Sequence, residues 1–261
     1  MSSTSSDLQH AIEIRGLTKS FGGFQAVNVD ELRVPSVGVT ALIGPNGAGK
    51  TTLFDMISGF VQPTSGTILF DGNDVTTQPA ETRARAGLVR TFQLTRVFDR
   101  MTVMENMLIG AMPDEHFHLV RSVLTPRWSL RRERETRERA QELLELVRLA
   151  PVADLYARSL SGGQKKLLEF ARAMMSSPRM LLLDEPMAGV NPTVRERMIT
   201  LIRDYVALGN GVLFVEHDLP RVMQLADTVV VLDRGAVIAS GTPAEITADD
   251  DVITAYMGGA R

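Results

Sequence analysis

The sequence predicts an α/β fold: a parallel core sheet wrapped by helices, an antiparallel β portion near the start, and a mostly helical insertion over about 93–175. Three observations predict it. "MLLLD" at 180–184 and "VLFVEH" at 212–217 are continuous apolar runs, the pattern of strands covered on both faces. A short β-branched run, Val39–Ile43, leads straight into a Gly-rich loop and then a helical segment. The middle third is instead rich in helix formers and interleaved charges.

The elements follow in order. Ala11–Leu17 alternates, and Phe24–Val34 gives a second strand-like run. Thr51–Ser58 reads as a helix, and Gly66–Phe70 as a strand closed by the turn residues "DGND" at 71–74. In "MTVMENMLIGAM", 101–112, Thr102 and Glu105 stand in capping-box spacing, so a helix starts there. Residues 127–149 are helical by composition, with Glu133–Arg137 and Glu135–Arg139 placed one turn apart to pair. From Lys165 to Met175, apolar residues at 167, 168, 171, 174 and 175 share one helical face, and Pro178 ends that helix. "TVVVLDRGAVIASG" at 228–241 reads as a hairpin turning at Asp233–Gly235. The chain shows no internal repeat and no low-complexity segment.

Composition narrows the function classes. The 261 residues suit one large domain or two small ones, and the 44% hydrophobic content supports a sizeable core. A net charge of −3 speaks against a general nucleic-acid grip, which needs a basic face. The absence of cysteine excludes disulfides, thiol catalysis and Cys-based zinc sites, and suits a reducing compartment. "MSSTSSDLQH" is polar, has no apolar h-region, and reads as a loose tail rather than a signal peptide. No segment approaches the about 18 continuous apolar residues of a spanning helix, so the chain is not expected to cross a membrane by itself. The seven arginines in 127–149 interleave with acids and read as a solvated helix, and the 13 methionines read mostly as core filler.

Two Gly-rich turns carry the chemistry. "GPNGAGKT", Gly44–Thr51, fits the P-loop pattern G-x-x-x-x-G-K-[ST]. The backbone of Gly44, Pro45, Asn46, Gly47, Ala48 and Gly49 can turn N–H groups around phosphate oxygens, and the helix N-terminus adds a partial positive charge. Lys50 can reach the β- and γ-phosphates, Thr51 can offer its hydroxyl to Mg²⁺, and Thr52 is expected to bind ATP beside them. Asp184, at the end of a buried strand, takes the Walker B position beside the metal. Glu185 comes next, where a carboxylate can polarise a water for attack on the γ-phosphate. The second turn is "SLSGGQKK" at 159–166, which opens onto an amphipathic helix. The residues alone show two anion-binding loops in one chain.

The motif order is Walker A at 44–51, "TFQ" at 91–93, "LSGGQ" at 160–164, "LLLDEP" at 181–186 and "VEHD" at 215–218. With it the chain resembles the ATP-binding subunit of ABC transporters over nearly its whole length. The resemblance implies a P-loop NTPase of ABC type: a RecA-like core with a β subdomain (1–92 and 176–261) and a helical signature subdomain (93–175). It implies an ATPase using ATP and Mg²⁺. It also implies a head-to-tail dimer in which Ser161, Gly162, Gly163 and Gln164 serve the nucleotide on the partner subunit. Phe21 sits where the family places an aromatic that stacks on adenine. Gln93 matches the Q-loop glutamine, which touches Mg²⁺ or the attacking water, and His217 the switch histidine on the γ-phosphate. Asn191, in "MAGVNP" at 187–192, stands where aspartate is usual in the D-loop.

Within the family, several features resemble the ATPases of branched-chain amino-acid uptake. They are "LTKSFGGFQAVN" at 17–28, "VRTFQLTRVFDRMTVMENMLIG" at 89–110, the asparagine D-loop, "VEHD", and "DDVITAYMGG" at 250–259. That likeness implies transmembrane permease subunits, a second ATPase subunit (identical or sister), indirectly a solute-binding protein, and a peripheral place on the cytoplasmic face of the membrane. Arg96, Val97 and Phe98 become candidate permease contacts. Urea or amide uptake, lipopolysaccharide export and a soluble non-transport ABC ATPase are the alternatives.

Overall fold

The structure, a computed structural model, describes residues 10–91, 97–111 and 126–258, the side chains of 126–130 and 257–258 apart. The N-terminal tail, Gln93 and Arg96 lie outside the described residues. Contacts group the chain into two compact units. The first takes Met1–Arg90, Arg179–Glu185 and Arg203–Arg261; the second takes Thr91–Pro178 and Pro186–Ile202.

The first unit holds two sheets. One is antiparallel: β1 (His10–Phe21), β2 (Phe24–Pro35), β4 (Ser65–Phe70) and the two-residue β5 (Asn73–Asp74), in the order β2-β1-β4-β5. The other contains β3 (Gly38–Ile43), β6 (Leu88–Arg90), β7 (Met180–Asp184), β8 (Gly211–Val215), β9 (Thr228–Asp233) and β10 (Ala236–Gly241), in the order β10-β9-β3-β8-β7-β6. All its pairings are parallel except β9 with β10. The continuous apolar runs are its central strands, and every residue of β8 is buried. β9 and β10 join through Arg234 and Gly235, both at positive φ (45° and 85°), which a tight hairpin turn with right-handed strand twist demands.

Helix α1 (Lys50–Ser58) follows β3 and buries Leu53, Phe54, Met56 and Ile57 against strands of both sheets. Its C-terminal carbonyls meet a residue the sequence did not flag. Arg83, in α2 (Ala80–Arg85), is fully buried. Its guanidinium donates to Met56 O (2.7 Å), Ile57 O (2.8 Å), Thr76 O (2.9 Å) and Gln78 O (2.9 Å). The end of a helix exposes unpaired carbonyls and a negative dipole end, so a cation there satisfies both. Burial still pushes the Arg83 pKa down, to about 10.

The second unit is helical. Its first helix, α3 (Val103–Gly110), begins with a complete Thr102/Glu105 capping box. Helices α4 (Pro126–Leu146) and α5 (Gly162–Met174) pack with α3 through Met107, Leu143, Leu144, Leu168 and Ala171. α5 ends three residues before Ser177 (φ 49°), itself followed by Pro178. On α4 the pairing differs from expectation. Glu135 accepts from Arg131 (2.8 Å) rather than pairing with Arg139, Arg134 pairs with Glu138 (2.7 Å), and Arg139 lies 3.5 Å from Glu142. Arg131 has acids only on its C-terminal side, and Glu135 one turn on is the partner it reaches.

The remaining helices are α6 (Pro192–Ala207), α7 (Leu219–Leu225), α8 (Pro243–Thr247) and α9 (Asp250–Gly258). Among the described residues no helix is long and apolar enough to cross a membrane.

Candidate functional site

The P-loop runs from the end of β3, a central strand of the parallel sheet, to the N-terminus of α1. Two of its glycines are demanded by close backbone approach. A Cβ on Gly44 would lie 2.1 Å from Leu232 O, and one on Gly49 (φ 97°) would lie 2.5 Å from Ala26 O. The β9–β10 turn holds the loop from beneath: Gly235 N–H donates to Ala48 O (2.9 Å), and Asn28 N–H to Gly235 O (2.7 Å). Lys50 Nζ donates to Gly44 O (2.8 Å) and Pro45 O (2.9 Å), drawing the loop back over the helix start. Burial lowers the Lys50 pKa, and the charge of Glu185 opposes that shift. Thr51 is exposed and Thr52 half-buried at the same helix start.

The C-terminal helix closes on this loop, which sequence reading missed. The Tyr256 hydroxyl on α9 is sealed from solvent and faces the Gly44 amide; burial raises its pKa against the pull of that amide. A cavity of ≈ 630 Å³ opens between loop 45–48, the Asp233–Arg234 turn, and Asp251 and Thr254 of α9. An ordinary amphipathic pattern at a chain end carries no signal for such a contact.

Asp184 ends β7. Arg90, on the edge strand β6, bridges it: Nη2 lies 3.0 Å from Asp184 Oδ2, while Nη1 lies 2.5 Å from Asp55 Oδ1 and 2.9 Å from Ser58 Oγ. The same guanidinium stacks on Phe54 and Phe60, 4.8 and 5.5 Å from the ring centres. Burial raises the Asp184 pKa and Arg90 counters it. Nothing in the sequence marked Arg90, because strand β6 is only three residues long. The donor set fits a hard cation such as Mg²⁺, which takes oxygen ligands, keeps waters and leans on nucleotide phosphates rather than a protein cage. Among the described residues no group of three or more His, Cys, Asp or Glu side chains could by itself hold a metal ion.

Glu185 leaves the strand in the left-handed region, φ 44°. That conformation is rare for a residue with a Cβ and collects at functional sites. Its N–H donates to Val215 O (3.1 Å), which fixes the turn. Its Oε1 lies 3.4 Å from Nδ1 of His217, two residues beyond β8. Lys50, Asp184, Glu185 and His217 therefore belong to one unit of the fold. Phe21 ends β1 with half its surface exposed and Lys19 Nζ 5.0 Å from its ring centre.

The second Gly-rich turn belongs to the second unit. Ser161 caps α5: its Oγ accepts from Gln164 N–H (3.3 Å), and Gln164 Oε1 accepts from Ser161 N–H (2.9 Å). Gln164 is thus engaged in a capping box. Lys165 reaches Asp99 at 2.7 Å. A Cβ on Gly163 would meet Val194 at 2.9 Å, while one on Gly162 would meet open space. Asn191 caps α6, its Oδ1 accepting from Val194 N–H (2.9 Å). Asparagine and aspartate are near-equal N-caps, so the amide serves there without a charge. Of the loop after Gln93, Val97 and Phe98 are described. Phe98 is exposed, its backbone held by the buried Asn106 side chain and its ring 5.7 Å from the Arg172 guanidinium.

Comparisons with known proteins agree with this geometry. Residues 27–188 match the profile of the ABC transporter family, and residues 236–261 match a profile described as the branched-chain amino acid ATP-binding cassette transporter. The chain belongs to the ABC transporter family, as one of its ATP-binding, ATP-hydrolysing subunits. It is 45% identical, over 95% of its length and 98% of the relative's, to a high-affinity branched-chain amino acid transport ATP-binding protein of Pseudomonas aeruginosa. It is 39% identical to the corresponding protein of Escherichia coli, over 97% of this chain and 99% of that one. Among solved structures, an ATP-binding cassette of an ABC transporter in its ADP conformation superposes with TM-score 0.82 at 34% identity, over 95% of this chain and 99% of that one.

Proposed function

We propose that this subunit hydrolyses ATP–Mg²⁺ at a seam between two cassettes and so powers import of branched-chain or related amino acids through a separate membrane permease. The observation that carries the reading is the convergence of Lys50, Asp184, Glu185 and His217 around the end of a parallel sheet, behind a preformed P-loop.

Phosphoryl transfer needs positioning and charge neutralisation more than covalent chemistry. The 44–49 backbone and Lys50 bind the phosphates, and Lys50 exchanges its bonds to Gly44 O and Pro45 O for phosphate oxygens. Thr51 and Asp184 would hold Mg²⁺, which supplies charge neutralisation when bound. Glu185 orients and activates the water, and His217 contacts the γ-phosphate. Gln93 would touch Mg²⁺ or the attacking water and sense the membrane part of the transporter, and Phe21 offers its ring face to adenine. Ser161, Gly162, Gly163 and Gln164 close over the γ-phosphate of the partner subunit's nucleotide. The signature subdomain and the segment from Arg96 to Phe98 couple closure to the permease, at the cytoplasmic face. The likeness to branched-chain amino acid transport ATP-binding proteins supports branched-chain amino acids over urea, amides, lipopolysaccharide export or a non-transport role.

The test is Glu185→Gln. It should keep ATP binding and cut phosphate release about 10²–10⁴-fold, the range for a lost general base; near-normal turnover would overturn the assignment. Ser161→Arg should bind ATP as an isolated chain yet fail to dimerise with it. Uptake of labelled leucine, against urea, by vesicles carrying the full transporter decides the solute.

A further inference from the structure

One buried acid next to the site has no role in this reading. Glu216 directly precedes His217 and is fully buried. Its Oε2 accepts the His217 N–H (3.1 Å) and lies 3.6 Å from His217 Nδ1. Its Oε1 finds no hydrogen bond among the described residues; the nearest cation, Nη1 of Arg221, is 3.7 Å away. Arg221 is itself drawn off toward Asp218, 2.9 Å from its Nε. A buried carboxylate with so weak a partner is costly, and an apolar residue of similar size would serve the strand end better.

The His217 ring explains why an acid stands there. Its Nδ1 edge faces two carboxylates, Glu185 at 3.4 Å and Glu216 at 3.6 Å, while more than half of the side chain is exposed. The two acids differ in freedom. Glu185 is partly exposed on a strained turn, whereas Glu216 is locked in the interior. If Glu185 is to orient water, it must let go of Nδ1.

We propose that Glu216 is a positioning residue: it holds the Nδ1 edge of His217 when Glu185 turns to the water, so that Nε2 stays presented to the γ-phosphate. The inference rests on the reading of His217 as the γ-phosphate contact. Orienting a histidine through the nitrogen it does not use is a general device.

The experiment uses the full chain with four variants: Glu216→Ala, Glu216→Gln, Glu185→Gln and His217→Ala. Phosphate release, ATP binding, thermal midpoint and the ¹⁵N spectrum of the imidazoles are measured on each, the His217 signals being those lost in His217→Ala. Glu216→Ala should cut turnover about 10–100-fold, as loss of an orienting partner does, with ATP affinity within about 2-fold of wild type. Glu216→Gln keeps an oxygen for the His217 N–H and should lose less, about 3–10-fold. In both, the His217 Nδ1 signal should move, and with Glu185→Gln as background the shift should grow. The proposal is overturned if Glu216→Ala turns over like wild type while His217→Ala is dead. It is equally overturned if the loss tracks a fallen midpoint and ATP affinity with the His217 signals unmoved. Should Glu216→Ala fail to fold, wild-type turnover and unmoved signals in Glu216→Gln overturn it. If His217→Ala itself turns over normally, the parent reading fails instead, and this inference with it.

Discussion

The two Gly-rich turns are alike in sequence and unlike in construction. Loop 44–49 is held from afar: Leu232 and Ala26 crowd its glycines, Gly235 pins Ala48, and Lys50 draws its first carbonyls inward. The turn at 161–164 is held mostly by itself, through a reciprocal capping box between Ser161 and Gln164. A loop whose glycines are crowded by distant backbone is rigid and preformed. A turn set by local hydrogen bonds can be carried on a separate unit, as the proposed closure over a partner's nucleotide requires.

Four substitutions test whether the two turns differ in rigidity. The largest effect belongs to Gly44→Ala. Its methyl would overlap the Leu232 carbonyl, and neither backbone can yield, so it should lose at least about 3 kcal/mol of stability or ATP binding outright. Thermal unfolding with and without ATP reads this, and normal binding would show the loop to be softer than its packing. Next comes Arg83→Ala, which strands the last carbonyls of α1, at the end of that helix away from the loop. It should cost about 3 kcal/mol in urea unfolding, with little direct effect on turnover in the molecules that stay folded.

Smaller is Ser161→Ala. Removing one half of a capping box should cost about 1 kcal/mol of stability while leaving ATP affinity of the isolated chain unchanged. A much larger cost would show that the second turn, too, depends on distant contacts. Smallest is Gly162→Ala, where the new methyl meets open space. Stability should stay within about 0.5 kcal/mol of wild type, whatever the methyl does to the proposed closure over a partner's nucleotide. The pair Gly44→Ala and Gly162→Ala therefore separates the two modes of construction in one measurement.

Much of the site was legible because its chemistry is local. A P-loop needs its glycines and lysine at fixed spacing, and the capping box that opens α3 needs Thr102 and Glu105 three apart. Continuous apolar runs in β7 and β8 announced strands buried on both faces. What escaped was long-range or short. Strand β6 has too few residues for a periodicity, so Arg90 and its bridge between Asp55 and Asp184 stayed hidden. Arg83 looked like any surface arginine in a polar stretch. Glu216 sat in plain view inside "VEHD", but its burial was invisible.

The class of fold, the longer strands, the two Gly-rich turns, and the acid and histidine at two strand ends could all be read from the sequence. These depend on spacing, periodicity and backbone permissiveness, all of which are properties of neighbours. Only the tertiary structure decided which arginine is buried, which carboxylate reaches His217, and which backbone crowds Gly44. A charged side chain is tolerated inside only when distant parts of the chain bring it partners, and no local pattern records that meeting.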